Sequence, residues 1–194
     1  MQKAPLILAS ASPRRLALLR EADFPEPIVR PALAPEPRLA GLAPGEMVTA
    51  LALAKARDAA ARSPEPGAVV LGADTVVALD GEILGKPRDA EEAGDMLRRL
   101  SGRRHAVYTG LALLHAGREL VRREVTRVYF RELSQWEIDT YVSTGEPLDK
   151  AGAYGIQGRA GVFVRRLEGD YFSVVGLPLC TFSEMLKELD VELL

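Results

Sequence analysis

The chain has 194 residues, 47% of them hydrophobic and 27% charged, with a formal net charge of -2. That length suits one domain over residues 1–194 with a real core, and the near-neutral charge excludes a broad basic field for nucleic acid or a membrane surface. The lone cysteine, Cys180, excludes an intrachain disulfide and a cysteine-built zinc site, and two histidines, His105 and His115, leave little material for a His-rich metal centre or a Ser-His-Asp triad.

Met1 to Pro5 runs straight into a short apolar strand at Leu6-Ile7-Leu8-Ala9. It has no signal-peptide core and no membrane-length apolar run follows, so a cytoplasmic protein is expected. Ser12 reads as a helix N-cap and Pro13 as the first helical residue, with the helix reaching about Ala22. A proline-rich extended segment, Pro25 to Pro44, leads to a helix opening at Pro44-Gly45-Glu46 and lasting to about Ala61, with Val48, Leu51, Ala52, Lys55 and Ala59 on one stripe. Val69 to Leu79 is a β-rich run, and Asp80-Gly81 turns it back through Glu82 to Leu84. Asp89 with Glu92 has the spacing of a capping box for a helix buried through Ala93, Met96, Leu97 and Leu100. A second hairpin, His105–Leu114 with Glu119–Phe130, turns at Ala116-Gly117. Ser134 and Glu137 make another capping box, with Leu133 and Ile138 as a hydrophobic staple. A glycine-spaced loop, Lys150 to Gly158, precedes strands expected at Val162–Leu167 and Tyr171–Val175, and Pro178 starts a last helix. Hairpins mixed with crossovers imply an α/β fold around a mixed sheet.

Chemistry concentrates in a few places. Asp74 interrupts an apolar strand, where a carboxylate is costly unless paired, metal-bound or protonated. Its neighbour Thr75 points to the opposite face unless a bulge intervenes. Ser10-Ala11-Ser12-Pro13-Arg14-Arg15 puts two arginines in the first turn of a helix, where they oppose the dipole and where a bound anion would resolve the conflict; the plainer alternative is a capped helix with solvated arginines. Lys55 lies on the apolar side of its helix, which snorkelling also explains, and Lys86 sits in the stiff corner Gly85-Lys86-Pro87, a place equally suited to an exposed loop lysine. Taken together, two lysines, two arginines and a buried carboxylate make a polyphosphate site. In Asp149 to Gly158, Gln157 carries an amide able to read a base edge, on glycines that permit close backbone approach; an ordinary flexible turn is the other reading.

Several of these blocks occur in an order that resembles the Maf family of nucleoside triphosphate pyrophosphatases, in its branch acting on dTTP and UTP. They are Leu8-Ala9-Ser10-Ala11-Ser12-Pro13-Arg14-Arg15, Gly72-Ala73-Asp74-Thr75, Gly85-Lys86-Pro87, Leu100-Ser101-Gly102, the Asp149–Gly158 loop and Val175-Gly176-Leu177-Pro178. The resemblance implies an elongated mixed sheet flanked by helices, two lobes with a central cleft, similar to the inosine triphosphate pyrophosphatases, and often a homodimer. It implies Asp74 as the catalytic proton acceptor and Arg14, Thr75 and Gln157 as determinants of substrate choice. Ser10, Arg15, Lys55 and Lys86 would line the cleft on phosphate and substrate. Glu36, within Pro35-Glu36-Pro37, would join Asp74 in holding a divalent metal, Mg2+ by preference with Mn2+ as the alternative. The rival expectations are the family branch that prefers 7-methyl-GTP, and a nucleotide-binding regulator of septum formation or cell division.

Overall fold

Two long hairpins carry most of the sheet. Strand β3 (Val69–Leu79) turns at Asp80-Gly81 into β4 (Glu82–Leu84), and β5 (Arg104–His115) turns at Ala116-Gly117 into β6 (Arg118–Phe130). At both turns the two central residues have positive φ: 51° and 85° at Asp80-Gly81, 48° and 77° at Ala116-Gly117. That is the backbone whose twist matches paired antiparallel strands, and glycine adopts it without strain. The computed structural model describes residues 4–35, 37, 41–63 and 65–193. Among them β1 (Leu6–Leu8), β2 (Ile28–Val29) and β7 (Val164–Glu168) complete a seven-stranded sheet in the order β2-β1-β3-β5-β6-β7, with β4 also on β3. β1 is parallel to β2 and β3, and the remaining pairings are antiparallel, so the sheet is mixed as expected.

Among the described residues six helices flank it: α1 (Pro13–Glu21), α2 (Pro44–Ala61), α3 (Ala90–Leu100), α4 (Gln135–Val142), α5 (Tyr171–Val175) and α6 (Leu179–Glu188). β3 threads two apolar clusters in turn. Val69, Leu71 and Ala73 pack with Leu18, Leu19 and Phe182 from α1 and α6, whereas Val77 and Leu79 pack with Leu97, Leu100 and Ile138 from α3 and α4. The two lobes are these two cores, strung on one pair of long strands. The other face of the first lobe is closed by α2, whose Ala52, Ala56 and Ala59 pack on Ile7, Val70 and Ala112.

Four local expectations are corrected. Tyr171–Val175 is α5, a helix and not a strand: the Asp170 side chain accepts from the Ser173 N–H and caps a single turn. β7 begins at Val164, after a 3-10 turn at Arg159–Phe163. Ser12 is the N-cap of α1 by position but its side chain caps nothing; instead its own N–H donates to Ser10 Oγ at 3.2 Å. The Asp89 capping box is only half formed. Asp89 accepts from the Glu92 N–H, but the Glu92 carboxylate accepts from the Arg88 N–H and not from Asp89. The Ser134–Glu137 box forms in full.

Candidate active site

The site begins as a gap in strand pairing. On one edge of β3, β1 pairs as far as Leu71 and β4 pairs from Val77, so neither strand covers residues 72–76. At about 3.3 Å per residue that opens roughly 16 Å of strand edge. The gap falls where the first apolar core gives way to the second. Across the strand, β3 and β5 stay in unbroken register from Val70↔Leu114 to Ala78↔Ala106, with no bulge. Asp74 and Thr75 therefore do face opposite sides of the sheet, as alternation demands, and yet both line one cleft of about 1010 Å3, because the edge between them is open.

Asp74 faces α2. Lys55 Nζ donates to Asp74 Oδ1 at 2.5 Å, with both side chains largely buried, at 19% and 13% exposure. Lys55 is thus an ion-pair partner and not a snorkelling lysine. The close packing of α2 on the sheet makes this reach possible. A Cβ placed on Gly72 would lie 2.9 Å from Ala56 Cβ, and one on Gly110, which pairs with Asp74, would lie 2.7 Å from the Thr49 nitrogen. Only glycine lets the helix backbone come so near.

Thr75 faces α1. Its Oγ1 accepts from Arg15 Nη2 at 3.2 Å and lies 2.9 Å from Thr109 Oγ1, and Thr109 donates to the Ser173 carbonyl at 2.8 Å. Arg15 is almost fully buried. Its Nε donates to the Gly176 carbonyl and its Nη1 to Ser10 Oγ, each at 2.8 Å. Burial pushes the guanidinium below its usual pKa; the negative charge of Asp74 opposes that, and the charge of Arg14 adds to it. Three of its five donors are spoken for, which locks its plane at the cleft wall. The first turn of α1 holds no acidic residue and its N-cap makes no side-chain bond, so the helix start presents N–H groups and Arg14 to the cleft with no anion of its own.

The opposite wall is the Lys150–Gly158 loop. Gly152, at φ 68°, sits against Val77, and its N–H donates to the Gly85 carbonyl at 3.0 Å, tying the loop to the Gly85-Lys86-Pro87 corner. Asp149 lies 3.5 Å from Arg14 and 2.6 Å from Lys150. Partial burial pushes the Asp149 carboxyl up, but the hydrogen bond and charge of Lys150, with Arg14, outweigh it and hold its pKa below the usual range. Gln157 is exposed at the cleft mouth.

The structure thus gathers Ser10, Arg14, Arg15, Lys55, Asp74, Thr75, Lys86 and Gln157 around one cavity. Glu36 lies outside the described residues. Among the described residues the cleft holds five cationic side chains against three carboxylates, so it is locally positive in a chain of net charge -2. A second groove, of about 890 Å3 between β4 and α3, is walled by surface ion pairs, and of the candidate site residues only Lys86 reaches it. Thr109 and Glu146 were not singled out from sequence. Thr109 left a trace, a hydroxyl between Val107 and Leu111 in an apolar strand; Glu146 left none, because its partners come from the fold.

The Maf family profile, described as Maf-like protein, matches residues 5–189. The chain belongs to the Maf family. It is 53% identical over 183 residues to a protein of Symbiobacterium thermophilum, covering 94% of this chain and 93% of that one. It is also 53% identical over 197 residues to one of Salinibacter ruber (98% and 93%), and 50% identical over 184 residues to one of Bacillus cytotoxicus (95% of each). All three relatives are named dTTP/UTP pyrophosphatase.

Proposed function

We propose that this protein hydrolyses dTTP and UTP to the nucleoside monophosphate and pyrophosphate. The observation that carries the reading is the Asp74–Lys55 pair at an open strand edge, facing an uncapped helix start and a surplus of positive charge. In the reaction, a water oxygen bonds to the α-phosphorus as the bond from that phosphorus to the bridging oxygen breaks, and pyrophosphate leaves with the electron pair. Asp74 orients the water and takes its proton, with one carboxylate oxygen held by Lys55. Arg14, Arg15, Lys86 and the free N–H groups of α1 offset the charge that builds on the leaving group. Thr75, held by Arg15 and Thr109, borders the reacting phosphate, and Gln157 meets the pyrimidine.

A divalent cation fits this donor set. No group of three or more His, Cys, Asp or Glu able to hold a metal occurs among the described residues. Mg2+, however, commonly binds through one or two carboxylates plus substrate phosphate oxygens and water, with Mn2+ as an alternative, and Asp74 would supply the carboxylate. When bound, the ion would offset phosphate charge and lower the pKa of a coordinated water. A cytoplasmic nucleotide pool as the site of action and a homodimeric state belong to the same proposal. No helix among the described residues is long and apolar enough to cross a membrane.

Pyrophosphate release from UTP, dTTP, CTP and 7-methyl-GTP, with Mg2+ and after chelation, tests the reading. The expected result is metal-dependent release favouring UTP and dTTP. A clear preference for the methylated purine, or nucleotide binding with no pyrophosphate release in any divalent metal, would overturn it.

A further inference from the structure

A serine or threonine hydroxyl has one proton to donate and two lone pairs to accept with, so its neighbours decide which side it shows a ligand. Around Arg15 those neighbours leave little choice. Ser10 Oγ accepts from Arg15 Nη1 at 2.8 Å and from the Ser12 N–H at 3.2 Å. Both lone pairs are then taken. Its proton has no acceptor among the described residues and is what Ser10 has left for the cleft it borders.

Thr75 is the reverse case, and the residue that makes it so is Thr109. At the end of α5 the Gly176 and Leu177 N–H groups both donate to the Phe172 carbonyl, at 2.9 Å each, and Pro178 has no N–H to give. The Ser173 carbonyl is therefore left without a backbone donor, and Thr109, fully buried, donates to it at 2.8 Å. Thr109 has then used its only proton. Across the 2.9 Å contact between the two threonines the donor must be Thr75, since the opposite direction would strip a buried carbonyl of its partner. Arg15 Nη2, which can only donate, fills one Thr75 lone pair at 3.2 Å, and one lone pair remains. Gly176 keeps this unit bare. A Cβ there would stand 3.5 Å from Arg15 Nε and 3.6 Å from Thr75 Oγ1, and Gly176, Arg15 and Thr75 all border the cleft.

We infer that Thr109 is a positioning residue that fixes the polarity of Thr75: by accepting the Thr75 proton it makes Thr75 an acceptor toward the cleft, while Ser10, on the other side of the same guanidinium, is a donor. This rests on the reading of the cleft as a nucleoside triphosphate site. Phosphate oxygens accept, so they pair with Ser10 and the cations and not with Thr75. Thr75 takes an N–H or O–H donor. The nucleoside carries two, the imide N–H of uracil and thymine and the ribose 3′-hydroxyl, and the ionised phosphate chain carries none. Thr109 does not line the cleft and acts only through Thr75.

Inorganic tripolyphosphate carries the phosphate chain without a nucleoside, and its Kd, measured by calorimetry on the full-length protein in chelated buffer, separates the two hydroxyls. Ser10→Ala is expected to weaken it by about fivefold or more, the loss of one hydrogen bond. Thr75→Val should not weaken it, yet should raise the KM for UTP. Thr109→Val frees the Thr75 proton for a phosphate oxygen. It should tighten tripolyphosphate by about threefold or more while raising the KM for UTP, and should tighten nothing when added to Thr75→Val. A merely structural loss would weaken both ligands together. Thr109→Ser keeps the hydroxyl and should restore native binding of both. If Thr109→Val fails to fold, Thr75→Val decides alone. With 3-methyl-UTP and 3′-deoxy-UTP, the analogue whose KM no longer responds to Thr75→Val names the donor. Weaker tripolyphosphate binding in Thr75→Val would show Thr75 donating to phosphate and would overturn the inference with the pyrophosphatase reading intact. So would unchanged or weakened binding in Thr109→Val, or KM values for both analogues that still respond to Thr75→Val. A native protein that binds no tripolyphosphate, in Mg2+ or in chelator, would instead refute the polyphosphate reading, and the inference with it.

Discussion

Replacing Gly72 by alanine adds one methyl group and is expected to damage both stability and turnover. The new Cβ would lie 2.9 Å from Ala56 Cβ and from the Ala56 nitrogen, and closer still to the Ala52 carbonyl oxygen. Ordinary contacts of this kind sit at roughly 3.5–4.0 Å, so α2 has to rise from the sheet by about 1 Å. Its underside cannot yield locally, because the atoms in the way are helix backbone. Overpacking of this sort costs about 1–3 kcal/mol. For a chain of this length that is a fall of roughly 2–12 °C in Tm. The same displacement carries Lys55 away from Asp74, whose contact is 2.5 Å in the native protein, and a misplacement of ~1 Å at a reacting group can cost about 100-fold. Thermal denaturation followed by circular dichroism gives the first quantity, and steady-state pyrophosphate release from UTP the second. A Gly72→Ala protein with native Tm and native kcat would refute the claim that close helix–sheet approach positions the Lys55–Asp74 pair.

Asp74→Asn keeps the shape and removes the charge; its kcat for UTP is expected to fall by about 10²–10⁴-fold with an unchanged circular dichroism spectrum, and near-normal turnover would sink the central assignment. His105 is buried against Tyr154, and burial holds its pKa at about 4, below the ordinary imidazole value of about 6.5. The unfolded chain therefore takes up a proton that the folded one refuses, and stability in urea should fall by roughly 3 kcal/mol as pH drops from about 6.5 to about 4, a slope absent from His105→Gln. Thr109→Val removes the hydroxyl that bonds Thr75 and the Ser173 carbonyl; it should cost about 1–3 kcal/mol in denaturant titrations and raise the KM for UTP, and a neutral effect on both would show that the hydroxyl chain does not support Thr75.

The hairpins were legible because Asp80-Gly81 and Ala116-Gly117 carry their turn geometry locally, and α2 because its apolar stripe repeats at helical spacing. Asp74 was legible for a related reason: a carboxylate among nine apolar or small neighbours breaks a pattern that needs no structure to be seen. Tyr171–Val175 misled because Tyr-Phe-Ser-Val-Val has strand-forming composition, whereas the Asp170 cap and the bonds from the Gly176 and Leu177 N–H groups to the Phe172 carbonyl make it a turn of helix. The burial of Arg15 was not legible at all. Its partner carbonyl, at Gly176, lies 161 residues away in the chain, and only closure of α1 onto the loop after α5 brings them together. Glu146 escaped for the same reason at shorter range, since its carboxylate means nothing until Gly155, Gly158 and Arg159 fold against it.

These features share a physical logic. Cations in the first turn of α1 oppose its dipole, a guanidinium is taken out of water at Arg15, an ion pair is held largely out of water at Lys55 and Asp74, and five residues of strand edge go unpaired in the middle of the sheet. Each is unfavourable by local rules, and scattered over a surface each would be an unexplained cost. They are not scattered: all border one cleft, and all but the strand edge involve positive charge directed at it. A polyanion bound there would supply the missing counter-charge to the start of α1 and would draw on the spare donors of Arg15. The most buried carboxylates that such a ligand would repel include Asp74, and it is already neutralised by Lys55. Lys55 holds Asp74 through a 2.5 Å contact with no ligand needed, so the pair is the part of the cleft already built before any polyanion binds.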